Sequence, residues 1–423
     1  MGTSPGSMKP KKRIKTSPKK VKLYHVRGAV IRIVAVAVFI AVAVSFILFA
    51  RGYRFDYTNK SVSSTGIFAI SSSPKTAKVF INGDFKGVTD LNISLPPGKY
   101  TVEVKKEGYI SYSKTLTLKG ELVEAVDPIL FPINPSLSPV TNLGITRAVQ
   151  VDSSDRILVF SETGDVERDG VYMYASSSRP LTFLPPLKPI LLKSNLPSTI
   201  SLADSVVHFS PDYRQAIIEF GSTDETAHSY LINLEGENKE LFDVETTNKD
   251  TLITAWQTES NEQTLKILEA YPKEIRKIAS DSFGMIKYSP DNTKILYRAK
   301  RDVKLPLVIN PPLIASNQTP ETRTLQKDHM YVYDMREDKN YHISDAKLNP
   351  AIVHWYNDSK RLVYRDASHI LVTLYDGQTR QTVYSGPIEK DFIAVNGDGK
   401  IMILANLNPA SNKLPDLYQV GIR

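Results

Sequence analysis

The chain has 423 residues, too many for one ordinary core, with 41% hydrophobic residues and no cysteine. The missing cysteines exclude disulfides, thiolate metal sites, c-type haem attachment and a lipid-modified cysteine near the N-terminus. The net charge of +8 is local: ten of the 53 basic residues and none of the 45 acidic ones fall in residues 1–32, so the remainder is close to neutral.

The basic tail (1–28) leads into IVAVAVFIAVAVSFILFA (33–50), eighteen residues without a charge. As a helix rising about 1.5 Å per residue this run spans roughly 27 Å, close to the hydrocarbon thickness of a bilayer. Residues 29–31 lengthen it while Arg32 snorkels back to the headgroups. A cleaved signal peptide fits less well. The run exceeds the usual apolar region, a charged stretch of about thirty residues precedes it, and FARGYRF offers no small-x-small cleavage site. The sequence predicts a signal anchor over 29–51, with residues 1–28 cytoplasmic and everything after about residue 52 outside. Arg51 and Arg54 weaken that charge asymmetry without reversing it. KPKKRIK (9–15) also reads as a nucleic-acid patch, but topology and attraction to anionic lipid account for the same charges. The expected partner of the tail is therefore the membrane, not nucleic acid.

A juxtamembrane linker (52–66) precedes a stretch of period-two patterning. AKVFING (77–83) places Ala77, Val79 and Ile81 on one face and closes on Asn82-Gly83, a pair suited to a tight hairpin turn. In LPPGKYTVEVKKEGY (95–109), Pro97-Gly98 predicts a type II turn with positive φ at the glycine, after which Tyr100, Val102 and Val104 point inward. ISYSKTLTL (110–118) alternates again, with Lys114 the one residue out of pattern. The sum is a β-sandwich of about sixty residues. VFINGDFKGVT, the Pro-Pro-Gly-Lys-Tyr turn and the closing Glu107-Gly108-Tyr109 resemble the PEGA domain of bacterial surface and envelope proteins, over residues 67–126. Pro-Pro-Gly stands here in place of the family's Pro-Glu-Gly. The resemblance implies a non-enzymatic, immunoglobulin-like module serving as a spacer or binding unit.

DPILFPINPSLSP (127–139) is proline-rich and apolar and predicts a stiff, partly buried connector over 127–140. Beyond it, residues 141–423 hold a repeat. HFSPDYRQAIIEF (208–220), KYSPDNTKILYRA (287–299) and HWYNDSKRLVYRD (354–366) each end a strand on an aromatic, turn through Ser, Pro or Asp, and resume an apolar run four residues after Asp212, Asp291 or Asp358. Looser copies stand at QVDSSDRILVF (150–160) and AVNGDGKIMIL (394–404). A second strand pair follows each, as at 230–242, 331–343 and 372–384. Two hairpins per unit predict four-stranded blades in a β-propeller. Roughly 280 residues at about 40–45 per blade predict six or seven blades, with the wide gaps holding a degenerate blade or insertions. The turns resemble the WD40-like repeats of TolB-type propellers. No helix is expected in this region; TLKILEAYPKEIRKI (264–278) is ambiguous and Pro272 interrupts it.

Catalytic signatures are missing from the sequence: no Gly-x-Ser-x-Gly elbow, His-Glu-x-x-His, P-loop or EF-hand pattern occurs, and the turns lack the Gly and Trp of sialidase-type Asp boxes. NGDGK (396–400) falls in the turn register and its ligand spacing is incomplete, which favours a turn over a calcium site. His208 and His354 share a repeat position with Lys287 on different blades, which favours recurring packing over a metal pair. No catalytic, cofactor-binding or metal-binding residue is assigned, and no cofactor is expected. Two proline-rich segments, 178–200 and 301–329, break the rhythm and could bind a partner or pack on the propeller edge. The chain reads as an all-β, single-pass protein of the bacterial cytoplasmic membrane. It is expected to be a non-enzymatic binding or scaffold protein of the cell envelope whose propeller loops meet a protein or glycan. The competing expectation is a propeller hydrolase or lyase acting on envelope polysaccharide, with paired carboxylates in the channel mouth.

Overall fold

The structure is a computed structural model and describes Gly2 and residues 19–50, 53–56, 61–151, 155–175, 187–222, 228–244, 246–345, 348, 352–389 and 391–422. Met1, residues 3–18 of the tail, Arg51, the first turn at 152–154 and residues 178–186 of the 178–200 segment lie outside these. The chain divides into two units, Met1–Phe68 with Asn92–Gly98 and Leu118–Glu124, and the remainder.

The first unit holds helix α1 (Lys19–Ala50), whose Ala29–Ala50 stretch is long and apolar enough to cross a membrane. A hairpin of Tyr53–Asp56 and Ser61–Ser64 follows, with most of a three-stranded sheet ordered Leu91–Leu95, Gly66–Ile70, Val123–Val126. The Tyr53 hydroxyl donates to Glu121 at 2.8 Å.

The second unit begins with a four-stranded antiparallel sheet ordered Asp84–Val88, Lys78–Ile81, Gly98–Lys105, Tyr112–Leu118. Ala77, Val79 and Ile81 are buried as predicted. Asn82 and Gly83 carry φ of 53° and 88°, the paired left-handed values of a two-residue hairpin turn. Pro97-Gly98 does not make its expected turn: Gly98 opens the strand Gly98–Lys105 and is not among the positive-φ glycines. The strand before it belongs to the three-stranded sheet, so the chain changes sheets here and needs no hairpin.

Residues 136–421 form the propeller, five four-stranded sheets among the described residues. Blade 1 comprises Ile145–Val151, Arg156–Ser161, Gly170–Ala175 and Leu187–Leu192. Blade 2 comprises Ile200–Phe209, Gln215–Ser222, His228–Asn233 and Phe242–Asp243. Blade 3 comprises Phe283–Tyr288, Lys294–Ala299, Met330–Asp334 and Lys339–Ser344. Blade 4 comprises Val353–Trp355, Arg361–Asp366, His369–Leu374 and Gln381–Ser385. Blade 5 takes Ile393–Val395, Ile401–Ala405 and Asp416–Gly421 from one end of the region and Ser136–Pro139 from the other. Ser136 pairs with Gly421 and Pro139 with Tyr418, so the ring closes through a strand of the connector.

Among the described residues there are five blades, one per copy of the turn, where length predicts six or seven. Two insertions account for the difference. The first is helical: α2 (Thr246–Leu268) and α3 (Lys273–Ser282) fill the gap between the second and third turns, where no helix was expected. α2 is polar enough to hide its period. Pro272 does not break a helix but caps α3, where its missing N–H costs nothing. Ile275, Ala279 and Ser282 form the buried face of α3. The second insertion is the 301–329 segment, pinned at its base by Val303–Lys304 pairing with Thr324–Leu325. In the 178–200 segment the expected break in rhythm is absent from the described half, because Leu187–Leu192 is the outer strand of blade 1.

The turn chemistry is shared. Ser289 Oγ and the Thr293 amide and hydroxyl all donate to Asp291, while Tyr213, Asn292, Ser359 and Gly399 take the one left-handed position in their turns. Asp212 accepts from Ser210 and the Arg214 amide, and Asp358 from the amides of Lys360 and Arg361. Burial alone would raise the Asp291 pKa, but its hydrogen bonds bring it down to about 2. Because the folded value lies below the ordinary 3.8, this stabilisation is complete above that value and is lost as pH falls through about 2.

The 301–329 insertion and the small sheet meet the propeller at one buried carboxylate. Asp376 Oδ2 receives Thr319 Oγ1 at 2.6 Å, Asn317 Nδ2 at 2.9 Å and Lys114 Nζ at 3.3 Å. Its side chain is 1% exposed. Burial would raise its pKa, but Lys114 and these hydrogen bonds outweigh that and hold it low. Lys114, out of pattern on its strand, thus has an ionic partner. Beside it the Gln318 amide pairs both ways with the Thr117 main chain, at 2.7 and 2.8 Å. This insertion therefore packs against the small sheet.

Two outcomes follow from these contacts. Asp291→Ala should destabilise the full-length protein by roughly 1–3 kcal/mol, the cost of orphaning a charged turn acceptor's donors, and flatten its acid-unfolding profile near pH 2–4 in calorimetry. Lys114→Met should cost about 2–4 kcal/mol by leaving Asp376 ionised without its ammonium, measured by denaturant unfolding of the same protein.

Candidate functional site

The first strand of every blade carries one residue at an equivalent place just before its turn: Gln150, His208, Lys287, His354 and Ala394. Two of these reach across to the next blade. Gln150 Nε2 donates to the Val395 carbonyl at 3.1 Å and Lys287 Nζ to the Val353 carbonyl at 2.7 Å. Burial lowers the Lys287 ammonium to about 8. Burial, then the neighbouring Lys287 charge, lowers His354 to about 3, so His354 is a neutral imidazole at physiological pH. This repeated position is a seam position, as the sequence suggests, and none of its residues is a carboxylate. His208 and His354 stand on blades 2 and 4. In the NGDGK turn, Asn396 Oδ1 accepts the Lys400 amide at 2.8 Å.

His208 differs from its counterparts because α2 stands beside it. Its Nε2 lies 2.8 Å from Glu219 Oε1, and the other oxygen of Glu219 receives Lys249 Nζ from α2 at 2.8 Å. The Lys249 hydrogen bond, then that of His208, lowers the Glu219 pKa against the opposing effect of burial. The far end of α2 is held by blade 3, where Tyr288 Oη donates to the Thr264 carbonyl at 2.8 Å and Tyr271 Oη to Asn292 at 3.1 Å. Leu268, Tyr271, Ile275 and Ala279 share a core with Phe283, Ile295 and Tyr297 of that blade. Helix α2 is therefore fixed at both ends, on two blades.

Between α2 and the end of Ile200–Phe209 lies an open cavity of about 400 Å³, lined by His208, Phe209, Ile253, Trp256, Gln257, Ser260 and Asn261. Its size falls within the ~300–1,000 Å³ range of small-ligand sites, and its lining is more polar than apolar, with Phe209, Ile253 and Trp256 as the apolar part. Sequence reasoning missed it because the helix that supplies most of the wall was not expected. The available signal was Trp256, one of only two tryptophans, set in an otherwise polar stretch.

A second constellation joins histidines that look scattered in the sequence. His329 Nδ1 lies 3.2 Å from His342 Nε2, and Asp345 Oδ1 lies 3.4 Å from His342 Nε2 and 3.7 Å from His329 Nδ1. Both histidines are half-buried and Asp345 is exposed.

Lys249→Ala should free the N-terminal half of α2 without unfolding the blades. The expected reading is faster amide hydrogen exchange in peptides from 248–260, with those of blades 1, 4 and 5 unchanged.

Residues 65–127 match the PEGA domain family. No similar curated protein was found. Among solved structures, the chain is similar to a protein of unknown function from Bacteroides thetaiotaomicron at 10% identity, covering 82% of this chain and 91% of that one, with a TM-score of 0.26. It is also similar to TolB from Acinetobacter baumannii at 10% identity, covering 77% of this chain and 60% of that one, with a TM-score of 0.21. An oligogalacturonate lyase from Vibrio parahaemolyticus is 8% identical over 85% of this chain and 99% of that one, with a TM-score of 0.27. The five-bladed assignment rests on strand order and seams, not on overlaps of this size.

Proposed function

We propose that the chain is a membrane-anchored, non-catalytic binding protein of the bacterial cell envelope, whose propeller takes a glycan in the cavity beside Trp256. The observation that carries this is the lining itself. An indole offers a flat apolar face to the C–H face of a sugar ring, while His208, Gln257, Ser260 and Asn261 supply donors and acceptors for its hydroxyls. Glu219 and Lys249 hold His208 and the helix in place, so the wall is preorganised before any ligand arrives.

The rest of the chain supports that reading. A basic tail ahead of an apolar helix favours a cytoplasmic N-terminus, with the PEGA-type module and propeller outside. The seam position offers Gln, His, Lys, His and Ala rather than paired carboxylates, which supports binding over hydrolysis.

The test is binding of fluorescent envelope glycan fragments to the full-length protein in detergent, with Trp256→Ala as comparator. Loss of most of the affinity in the variant, with the melting temperature unchanged, supports the proposal. Equal binding by both proteins overturns the site, and chain cleavage of the glycan overturns the non-catalytic reading.

A further inference from the structure

We propose that His329, His342 and Asp345 form a divalent transition-metal site at the outer edge of blade 3, with zinc the ion its donors suit. Three donor atoms, two imidazole nitrogens and one carboxylate oxygen, sit 3.2, 3.4 and 3.7 Å apart. A tetrahedral zinc ion with bonds of about 2.0–2.1 Å requires neighbouring donors roughly 3.3–3.4 Å apart. The triangle therefore already has the edge lengths of one face of that coordination shell. The fourth corner is left to water or a ligand.

The fold explains how residues thirteen positions apart converge. His329 ends the long insertion, immediately before Met330–Asp334, and His342 lies on the partner strand Lys339–Ser344 opposite Tyr331. A register shift between Met330 and Tyr331 brings the residue ahead of the strand towards its partner's ring. The two imidazoles have centroids 5.3 Å apart, and Tyr331 packs edge-on against His342 at 5.4 Å. Asp345 is held near by sequence, three residues beyond His342.

The donor set selects the class of ion. Two imidazoles with one carboxylate suit zinc, copper or nickel and are poor ligands for calcium or magnesium, which prefer oxygen. With no cysteine in the chain, no thiolate competes for the ion. Binding would tie the end of the 301–329 insertion to the outermost strand of blade 3, so the metal should raise the unfolding temperature.

The experiment uses tag-free full-length protein, stripped with chelator and titrated with zinc chloride by calorimetry, then with cobalt chloride by visible absorption. One equivalent of zinc, a rise in melting temperature and a four-coordinate cobalt spectrum are expected. His329→Ala and His342→Ala should each abolish saturable binding, Asp345→Asn should weaken it, and His369→Ala should leave it intact. All variants should keep the wild-type melting temperature in chelator, which separates loss of the site from loss of the fold. Saturable binding that survives His329→Ala with His342→Ala, calcium binding of equal strength, or no zinc uptake at all overturns the assignment and leaves a hydrogen-bonded trio.

Discussion

Four residue pairs, from Ser136–Gly421 to Pro139–Tyr418, hold the propeller shut. Every other blade draws its strands in chain order from one stretch of the sequence, blade 3 around the 301–329 insertion, but blade 5 needs both ends of the region in one place. That requirement reaches back into the connector. For Ser136–Pro139 to lie beside Asp416–Gly421, residues 129–131 must run along the seam between blades 4 and 5. Ile129 and Phe131 are accordingly buried with Tyr356, Val363, Ile393 and Val420. Arg361 donates to the Asp127 carbonyl at 3.2 Å, fixing the entry point of the same segment. Closure and attachment of the small sheet are thus one structural event.

The seams are not alike. Between blades 1 and 2, 3 and 4, 4 and 5, and 5 and 1, continuous apolar clusters join the sheets. Polar contacts reinforce them: Glu162 accepts the Leu202 amide at 2.8 Å, Trp355 donates to the Lys287 carbonyl at 2.9 Å, and Asn357 donates to the Gly397 carbonyl at 2.9 Å. At blades 2 and 3 the helices intervene, with α2 salt-bridged to blade 2 and α3 buried against blade 3. Gln150 and Lys287 bridge their seams by donating to the Val395 and Val353 carbonyls of the adjacent blades. The open cavity beside Trp256 lies where the helical insertion departs from the repeat.

Much of this was legible in the sequence. The Ser, Pro and Asp turns mark the start of each blade, and their physical role follows from residue type: an acceptor that gathers amides, and one left-handed position that Gly399 fills without strain. The five copies of the turn go with five four-stranded sheets among the described residues, fewer than chain length divided by a typical blade predicts. α2 escaped because its solvent-facing length carries few apolar residues, and a helix held by its two ends leaves little periodicity. The role of Lys114 was half visible, as a charge in an inward register. Its partner Asp376 lies 262 residues on and no local pattern announces it. The His329–His342 pair is hidden for a related reason: only the hairpin register brings the rings together.

The closing ladder also has a mechanical meaning. A pull on the chain ahead of Ser136 acts along the axis of its strand, so the four pairs with Asp416–Gly421 bear the force together, in shear, rather than opening one by one like a zipper. Upstream, the Lys114–Asp376 ion pair and the buried Ile129 and Phe131 stand in series with that ladder and take up the load first. The ladder, the ion pair and the buried side chains thus act as one stiff fastening between the propeller and the small sheet.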